Sequence, residues 1–149
     1  MIDTLRRLLP GLWAGWLICV AVLAAPAAFA VLASAEAGRV VGRMLAQEAY
    51  TSLALGLLLL ILERLAARRS VTTASGTQFS VGMVLALGAL FCTVAGYFAV
   101  QPMMADARAG TGALGFGQLH AISAAFYVVK LGLVLMLAWR ASRQAVPAA

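Results

Sequence analysis

Four long runs without an acidic or basic residue constrain this chain more than any other feature. About 20 helical residues cross a hydrocarbon core of about 30 Å, and three of the runs reach that length unaided. The second run is shorter, so its helix must draw Gln47 and Glu48 into the membrane edge. The runs are Leu8 to Ala35, Ala49 to Leu62, Ser70 to Ala105, and Ala109 to Val129, which resumes from Leu131 to Trp139.

The composition agrees with helices in a membrane. Hydrophobic residues make up 64% of the 149 residues and charged residues 11%, which lies outside the range of soluble globular domains. No alternating pattern typical of barrel strands occurs. We therefore predict an all-α fold, an integral membrane bundle of four transmembrane helices that forms a single transmembrane domain, 1–149. The helices are expected at about 8–33, 44–64, 79–101 and 115–139.

A short amphipathic segment is expected between the first and second helices. Glu36, Arg39 and Arg43 share one helical face, while apolar residues such as Val40 and Met44 recur on another. We expect this segment to lie at the membrane surface and to lead into the second helix.

The first run also resembles a secretory signal, because Arg6 and Arg7 precede an apolar stretch and Ala28-Phe29-Ala30 fits a cleavage site. Its 28 uncharged residues exceed the apolar region of a signal, so we interpret it as a retained first helix.

The arginines indicate the orientation, since cytoplasmic loops are enriched in Lys and Arg. We predict a multi-pass protein of the inner (plasma) membrane with both termini in the cytoplasm and an inner belt of Trp13, Trp16 and Trp139. The net charge of +6 then reflects topology and attraction to anionic lipid. The arginines expected inside are Arg6, Arg7, Arg64, Arg68, Arg69, Arg140 and Arg143, and those outside are Arg39, Arg43 and Arg108.

Prolines and small residues predict where the helices bend and touch. Proline removes a backbone hydrogen bond and clashes with the preceding turn, so we expect a kink at Pro26 and the end of the third helix at Pro102. Small residues at four-residue spacing let helices approach closely, as at Gly38 and Gly42 and in the row Gly88, Cys92, Gly96. The predicted packing positions are Gly38, Gly42, Gly88 and Gly96.

The fourth helix carries the most distinctive chemical feature, a one-sided row of polar residues that includes the single lysine and the single histidine. A helix turns by about 100° per residue, so the row falls within one face about 80° wide. A charge near mid-membrane costs about 2.5 to 3.5 kcal/mol on insertion scales, so this face should line the bundle interior or a wet cavity. The row is His120, Ser123, Tyr127 and Lys130.

Two of these side chains allow alternative interpretations. Lys130 either lines a pathway or extends towards the cytoplasmic headgroups, where Glu63 is an available partner. His120 either bonds a backbone carbonyl or forms a proton-handling pair with Glu48, if the second and fourth helices touch. Ser123 is most simply bonded to its own helix, and Tyr127 is most simply a packing residue.

Motifs for enzymatic or metal chemistry are absent from the sequence, so the chain is not expected to be an enzyme and no cofactor is predicted. The candidate metal ligands do not occur at the spacing that metal sites require. They are the single histidine, the isolated Cys19 and Cys92 in apolar spans, and the pair Met103-Met104. A haem with two histidine ligands would require two chains. A membrane metal- or haem-handling protein stays open as an alternative function.

Several short motifs occur in a fixed order along the chain: Pro26 with Phe29, AGRVVGRM at 37–44, Tyr97 with Pro102, and FGQLHAIS at 116–123. Their order and spacing resemble those of the transmembrane protein 205-like family, a four-helix membrane domain of unknown function. The resemblance covers nearly the whole chain and implies that Leu119, His120 and Ser123 are its most recognisable polar feature, but it implies no reaction.

The polar row leads to the main functional prediction: the protein handles a small solute or ion, as a transporter does, with the row lining the site. The alternative is a structural or accessory subunit of a membrane complex. The expected partners are the lipid bilayer and further copies of the chain or other membrane subunits. Nucleic acid is not expected, because the basic residues do not cluster with exposed aromatic residues.

Overall fold

Four helices make up nearly all of the computed structural model, which describes residues 2–71 and 80–143. Each is long and apolar enough to cross a membrane, and no strand occurs in those two ranges. The predicted all-α class and the four spans are confirmed. The helices are α1 (Ile2–Val31), α2 (Ser34–Val71), α3 (Val81–Arg108) and α4 (Phe116–Arg143).

The second helix is longer than predicted and is continuous from Ser34. The amphipathic segment is therefore its beginning and not a separate element on the surface. Leu32, in an extended conformation, separates α1 from α2. The third helix begins at Val81, because the Ser80 hydroxyl accepts a hydrogen bond from the Met83 N–H at 3.1 Å and caps its first turn. The predicted start at 79 lies outside the described residues.

Prolines lie inside the helices and do not end them. The prediction that Pro102 terminates the third helix is wrong, because that helix continues to Arg108. A π-helical turn precedes two of the three prolines in the described helices: Cys19–Ala24 before Pro26 and Val94–Ala99 before Pro102. The third, Pro10, lies in the regular first part of α1. In a π turn the backbone N–H bonds the carbonyl five residues back instead of four, which widens the helix locally. The wider turn leaves room for the carbonyl that would otherwise clash with the proline side chain. Inside a membrane, such local adjustments keep the helix intact.

One side of the bundle is tightly packed. We call the side that holds Arg6 and Arg140 the terminal side, and the side that holds Arg108 and Phe116 the far side. Next to the terminal side, all four helices contribute buried residues to one hydrophobic core. Its members include Trp13, Leu17, Leu59, Leu85, Ala86, Ala89, Val134 and Leu137.

Towards the far side the bundle separates into two helix pairs. Beyond Ile18, α1 packs against α2 but not against α3 or α4. The last part of α3, Val100–Arg108, packs against α4 but not against α1 or α2. The two pairs therefore enclose a space that widens from the core towards the far side.

The glycines divide into close-packed and open positions. A Cβ on Gly96 would lie 2.5 Å from the Cβ of Phe126, and a Cβ on Gly88 would lie 3.0 Å from a Leu133 methyl group, so both let α3 approach α4. At Gly38 and Gly42 an added Cβ would meet nothing within 4 Å. The structure therefore does not support the predicted packing role of Gly38 and Gly42.

Candidate functional site

A cavity of about 670 Å³ occupies the space between the two helix pairs. All four helices border it, and α4 borders it from Phe116 to Lys130. The predicted polar row faces it along this whole length, together with Glu48 of α2. The five candidate residues at its wall are Glu48, His120, Ser123, Tyr127 and Lys130.

An ion pair lies at the base of the cavity, where the helix pairs meet. The Lys130 ammonium donates to both carboxylate oxygens of Glu48, at 2.7 and 2.9 Å. Lys130 is only 3% exposed and Glu48 only 2%. Two charges removed from water in this way stabilise a protein only if each is fully hydrogen-bonded. The interpretation of Lys130 as a side chain that extends towards the headgroups is therefore wrong. Its expected pairing with Glu63 is also wrong, because Lys130 binds Glu48.

Further hydrogen bonds connect this ion pair to α1. The Ser52 hydroxyl donates to Glu48, and the Trp13 indole N–H donates to the Ser52 oxygen at 2.9 Å. The Lys130 ammonium lies 4.7 Å from the centre of the Tyr127 ring. The Tyr127 hydroxyl in turn donates to the Leu17 carbonyl at 2.8 Å. These side chains form a continuous polar network that ties α1, α2 and α4 together at one depth.

Ser123 and Tyr127 both bond across helices, which differs from the simplest prediction for each. The Ser123 hydroxyl donates to the Gly96 carbonyl of α3 at 2.7 Å, within the π-helical turn of that helix. A π turn shifts the backbone hydrogen bonds, so its carbonyls are accessible to outside donors. The Leu17 carbonyl that Tyr127 reaches likewise lies next to the π turn of α1.

His120 lies at the far side, away from the ion pair. Its ring stacks on Phe116 with centroids 6.1 Å apart, and the Arg108 guanidinium lies 4.7 Å from the Phe116 ring centre. The imidazole makes no hydrogen bond to any residue in 2–71 or 80–143. The structure does not bring His120 onto Glu48, because Lys130 and Ser52 are the hydrogen-bond donors to that carboxylate.

Two residues of the network were missed by sequence reasoning. The predicted position of Trp13 in an interfacial belt is wrong, because its side chain is fully buried in the core. Ser52 gave only a weak signal, its position one helical turn after Glu48, which places both on one face. Indole and hydroxyl groups are common in apolar helices, so neither residue stands out without the fold.

No group of three or more His, Cys, Asp or Glu side chains arranged to hold a metal ion occurs among the described residues. Cys92 is buried and borders the cavity, whereas Cys19 is exposed on α1. A cysteine inside an apolar span is expected to be a small, buried packing residue, which is confirmed for Cys92 and wrong for Cys19.

A family model described as "Domain of unknown function (DUF4149)" matches residues 8–112, which is more than half of the chain. The chain belongs to this family. No curated protein and no solved structure matches it significantly.

Membership of the DUF4149 family and the four apolar helices together describe a multi-pass integral membrane protein of unknown function. The matched residues take in α1 to α3 and Glu48, and end before Phe116. The polar row of α4 therefore lies outside the match. The narrower resemblance to the transmembrane protein 205-like family stays a prediction.

Proposed function

We propose that this protein binds a small solute in the cavity between its helix pairs, as one step of moving or sequestering that solute within the membrane. The observation that carries the proposal is the cavity itself, with a buried ion pair at its base and a polar row along one wall. Pockets that hold small molecules typically have volumes of about 300 to 1,000 Å³ and combine apolar walls with a few placed polar groups.

The composition of the wall favours a solute over a bare ion. Glu48 and Lys130 already neutralise each other, so the base offers no uncompensated charge to a dehydrated ion. The remaining wall is mainly apolar and gives no ring of oxygen ligands such as hard cations require. The apolar residues of the wall include Val20, Ala25, Phe29, Val41, Leu45 and Val128.

Access from one side supports a transport role. The cavity widens towards the far side, while the core around Trp13 and Leu59 fills the space on the terminal side. Beyond that core, Arg6 binds Glu63 at 2.8 Å, and Ser80 donates to the same carboxylate at 2.8 Å. In the proposed cycle, this conformation is the one open to the far side, and passage to the terminal side requires the core to loosen and this cluster to separate.

The wider assignment is also a proposal. We place the protein in the inner membrane as one transmembrane domain with both termini in the cytoplasm, supported by the arginine excess beside the terminal side. Kinship with the transmembrane protein 205-like family, and self-association or association with other membrane subunits, belong to the same proposal.

The proposal is tested with a substitution that fills the cavity. Gly42 borders the cavity, and a Cβ there meets nothing within 4 Å, so Gly42→Phe should place a ring in the binding space. Gly11→Phe is the matched control, because Gly11 is exposed and equally open. The purified full-length proteins are heated in detergent with tetraphenylphosphonium, benzoate or decanol as cationic, anionic and neutral probes.

A ligand that binds only the folded state raises the melting temperature in proportion to its occupancy. We expect at least one probe to raise Tm for the wild type and for Gly11→Phe but not for Gly42→Phe. Equal shifts in all three proteins, or no shift with any probe, would contradict a solute-binding cavity.

A further inference from the structure

We propose that the solute is an amphiphile with a hydrocarbon chain and an anionic oxygen head, which enters from the surrounding lipid leaflet between α1 and α4. The proposal rests on the proposed function, because it names the class of molecule that the same cavity holds. Its head lies at the far side beside Arg108 and His120, and its chain extends towards the ion pair.

The cavity is continuous with the lipid-facing surface of the bundle. The second part of α1 does not pack against α4. Phe29 and Val128 border the cavity on these two helices and are also 53% and 67% exposed. In a membrane, the surroundings of such side chains are acyl chains. A molecule already in the leaflet therefore reaches the cavity without passing through water.

The cavity is long relative to its volume. About 21 Å of helix separates Phe116 from Lys130, at 1.5 Å per residue, and both border the cavity. One leaflet contributes about half of a hydrocarbon core of about 30 Å. The space thus extends from the headgroup region to the depth of the ion pair, which suits an extended chain better than a compact solute.

The positive charge of Arg108, at the far-side end of the cavity, favours an anionic head group on the bound amphiphile. Arg108 borders the cavity, and among the described residues no carboxylate lies within ion-pairing distance of its guanidinium. The guanidinium instead lies over the face of the Phe116 ring. Gln101 and His120 add further hydrogen-bonding groups to the cavity wall. An anionic head placed here gains charge-assisted hydrogen bonds from an arginine that has no anion of its own.

A free fatty acid and a phospholipid both combine an anionic oxygen head with a hydrocarbon chain. The two are distinguished by mass. Native mass spectrometry of the full-length protein, released from mild detergent, should show a retained anionic lipid of either mass on the wild type and on Gly11→Phe. Retention of neutral lipid alone, or equal retention by Gly42→Phe, contradicts the proposal.

The position and charge preference are tested by photolabelling. The full-length protein in phosphatidylcholine nanodiscs is exposed to a long-chain fatty acid with a diazirine at its end, or to the methyl ester of the same compound. Labelled residues are then mapped by mass spectrometry. We expect the acid to label the cavity walls in preference to the exposed residues Leu12 and Leu135, and Gly42→Phe and Gly38→Phe to suppress that labelling while Gly11→Phe does not.

The variant Arg108→Gln isolates the role of the head. It should reduce cavity labelling by the acid about tenfold, the size expected for loss of one charge-assisted hydrogen bond, and leave labelling by the ester unchanged. Equal effects on acid and ester overturn the assignment of Arg108. The amphiphile proposal is overturned, and the solute-binding cavity stands, if labelling is confined to lipid-facing residues while the compact probes still raise Tm in the thermal-unfolding experiment. If the compact probes do not raise Tm and the acid does not label the cavity, both the solute-binding cavity and the amphiphile proposal are overturned.

Discussion

Lys130 and Glu48 are 82 residues apart in sequence, and the ammonium of one contacts both carboxylate oxygens of the other. The contact joins α4 to α2 at the point where the two helix pairs begin to separate. Because both side chains are almost fully buried, neither charge has bulk water as an alternative partner. The helices α2 and α4 do not pack directly against each other, so this ion pair is a side-chain bridge between them.

Lys130→Met should destabilise the protein strongly, because it leaves the Glu48 carboxylate buried without its partner. Removal of one member of a buried ion pair typically costs about 3 to 5 kcal/mol. The double variant Glu48→Leu with Lys130→Met should recover much of that loss, since it leaves no unpaired charge. Unfolding of the three proteins in detergent measures the difference. A double variant no more stable than Lys130→Met would show that the ion pair is not what stabilises this region.

Tyr127→Phe should cost about 0.5 to 1.5 kcal/mol, because the variant loses the hydrogen bond to the Leu17 carbonyl but keeps the ring beside Lys130. Tyr50→Phe is the matched control, since the exposed Tyr50 packs edge-on against Phe98 and its hydroxyl makes no hydrogen bond to any residue that the structure describes. Thermal unfolding should separate the two variants. Equal melting temperatures would mean that the bond between α1 and α4 contributes nothing measurable.

Gly96→Ala should destabilise the contact between α3 and α4. Its new Cβ would lie 2.5 Å from the Phe126 Cβ, so the helices must move apart, and overpacking of this kind typically costs about 1 to 3 kcal/mol. Gly15→Ala provides the control, because a Cβ there meets nothing within 4 Å and alanine favours the helix over glycine. We expect a lower melting temperature for Gly96→Ala and not for Gly15→Ala. Similar melting temperatures for the two variants would mean that α3 and α4 do not pack closely at Gly96.

The proposed orientation predicts opposite labelling of the two sides. Cysteine is introduced at Thr111 on the far side or at Ser142 on the terminal side, in a background with Cys19 and Cys92 replaced by serine or alanine. A maleimide that does not cross membranes should label Thr111→Cys in intact cells, and Ser142→Cys only after the membrane is permeabilised. The reverse pattern would place both termini outside.

Local properties of the sequence determined the number and type of the helices and the composition of one cavity wall. Hydrophobic run length alone predicts four spans, since it depends only on consecutive residues. The spacing of His120, Ser123, Tyr127 and Lys130 predicts a shared face, because helical periodicity is also local. These two regularities needed no knowledge of neighbouring helices.

Only the tertiary structure decided which groups meet. Hydropathy does not distinguish a side chain that faces lipid from one that faces another helix, so the burial of Trp13 and the partner of Lys130 were not accessible from their own spans. The effect of Pro102 also depends on context, since a π turn absorbs the clash that would otherwise end the helix. The cavity exists because two helix pairs separate beyond a shared core, and that separation is a relation between whole helices that no single segment encodes.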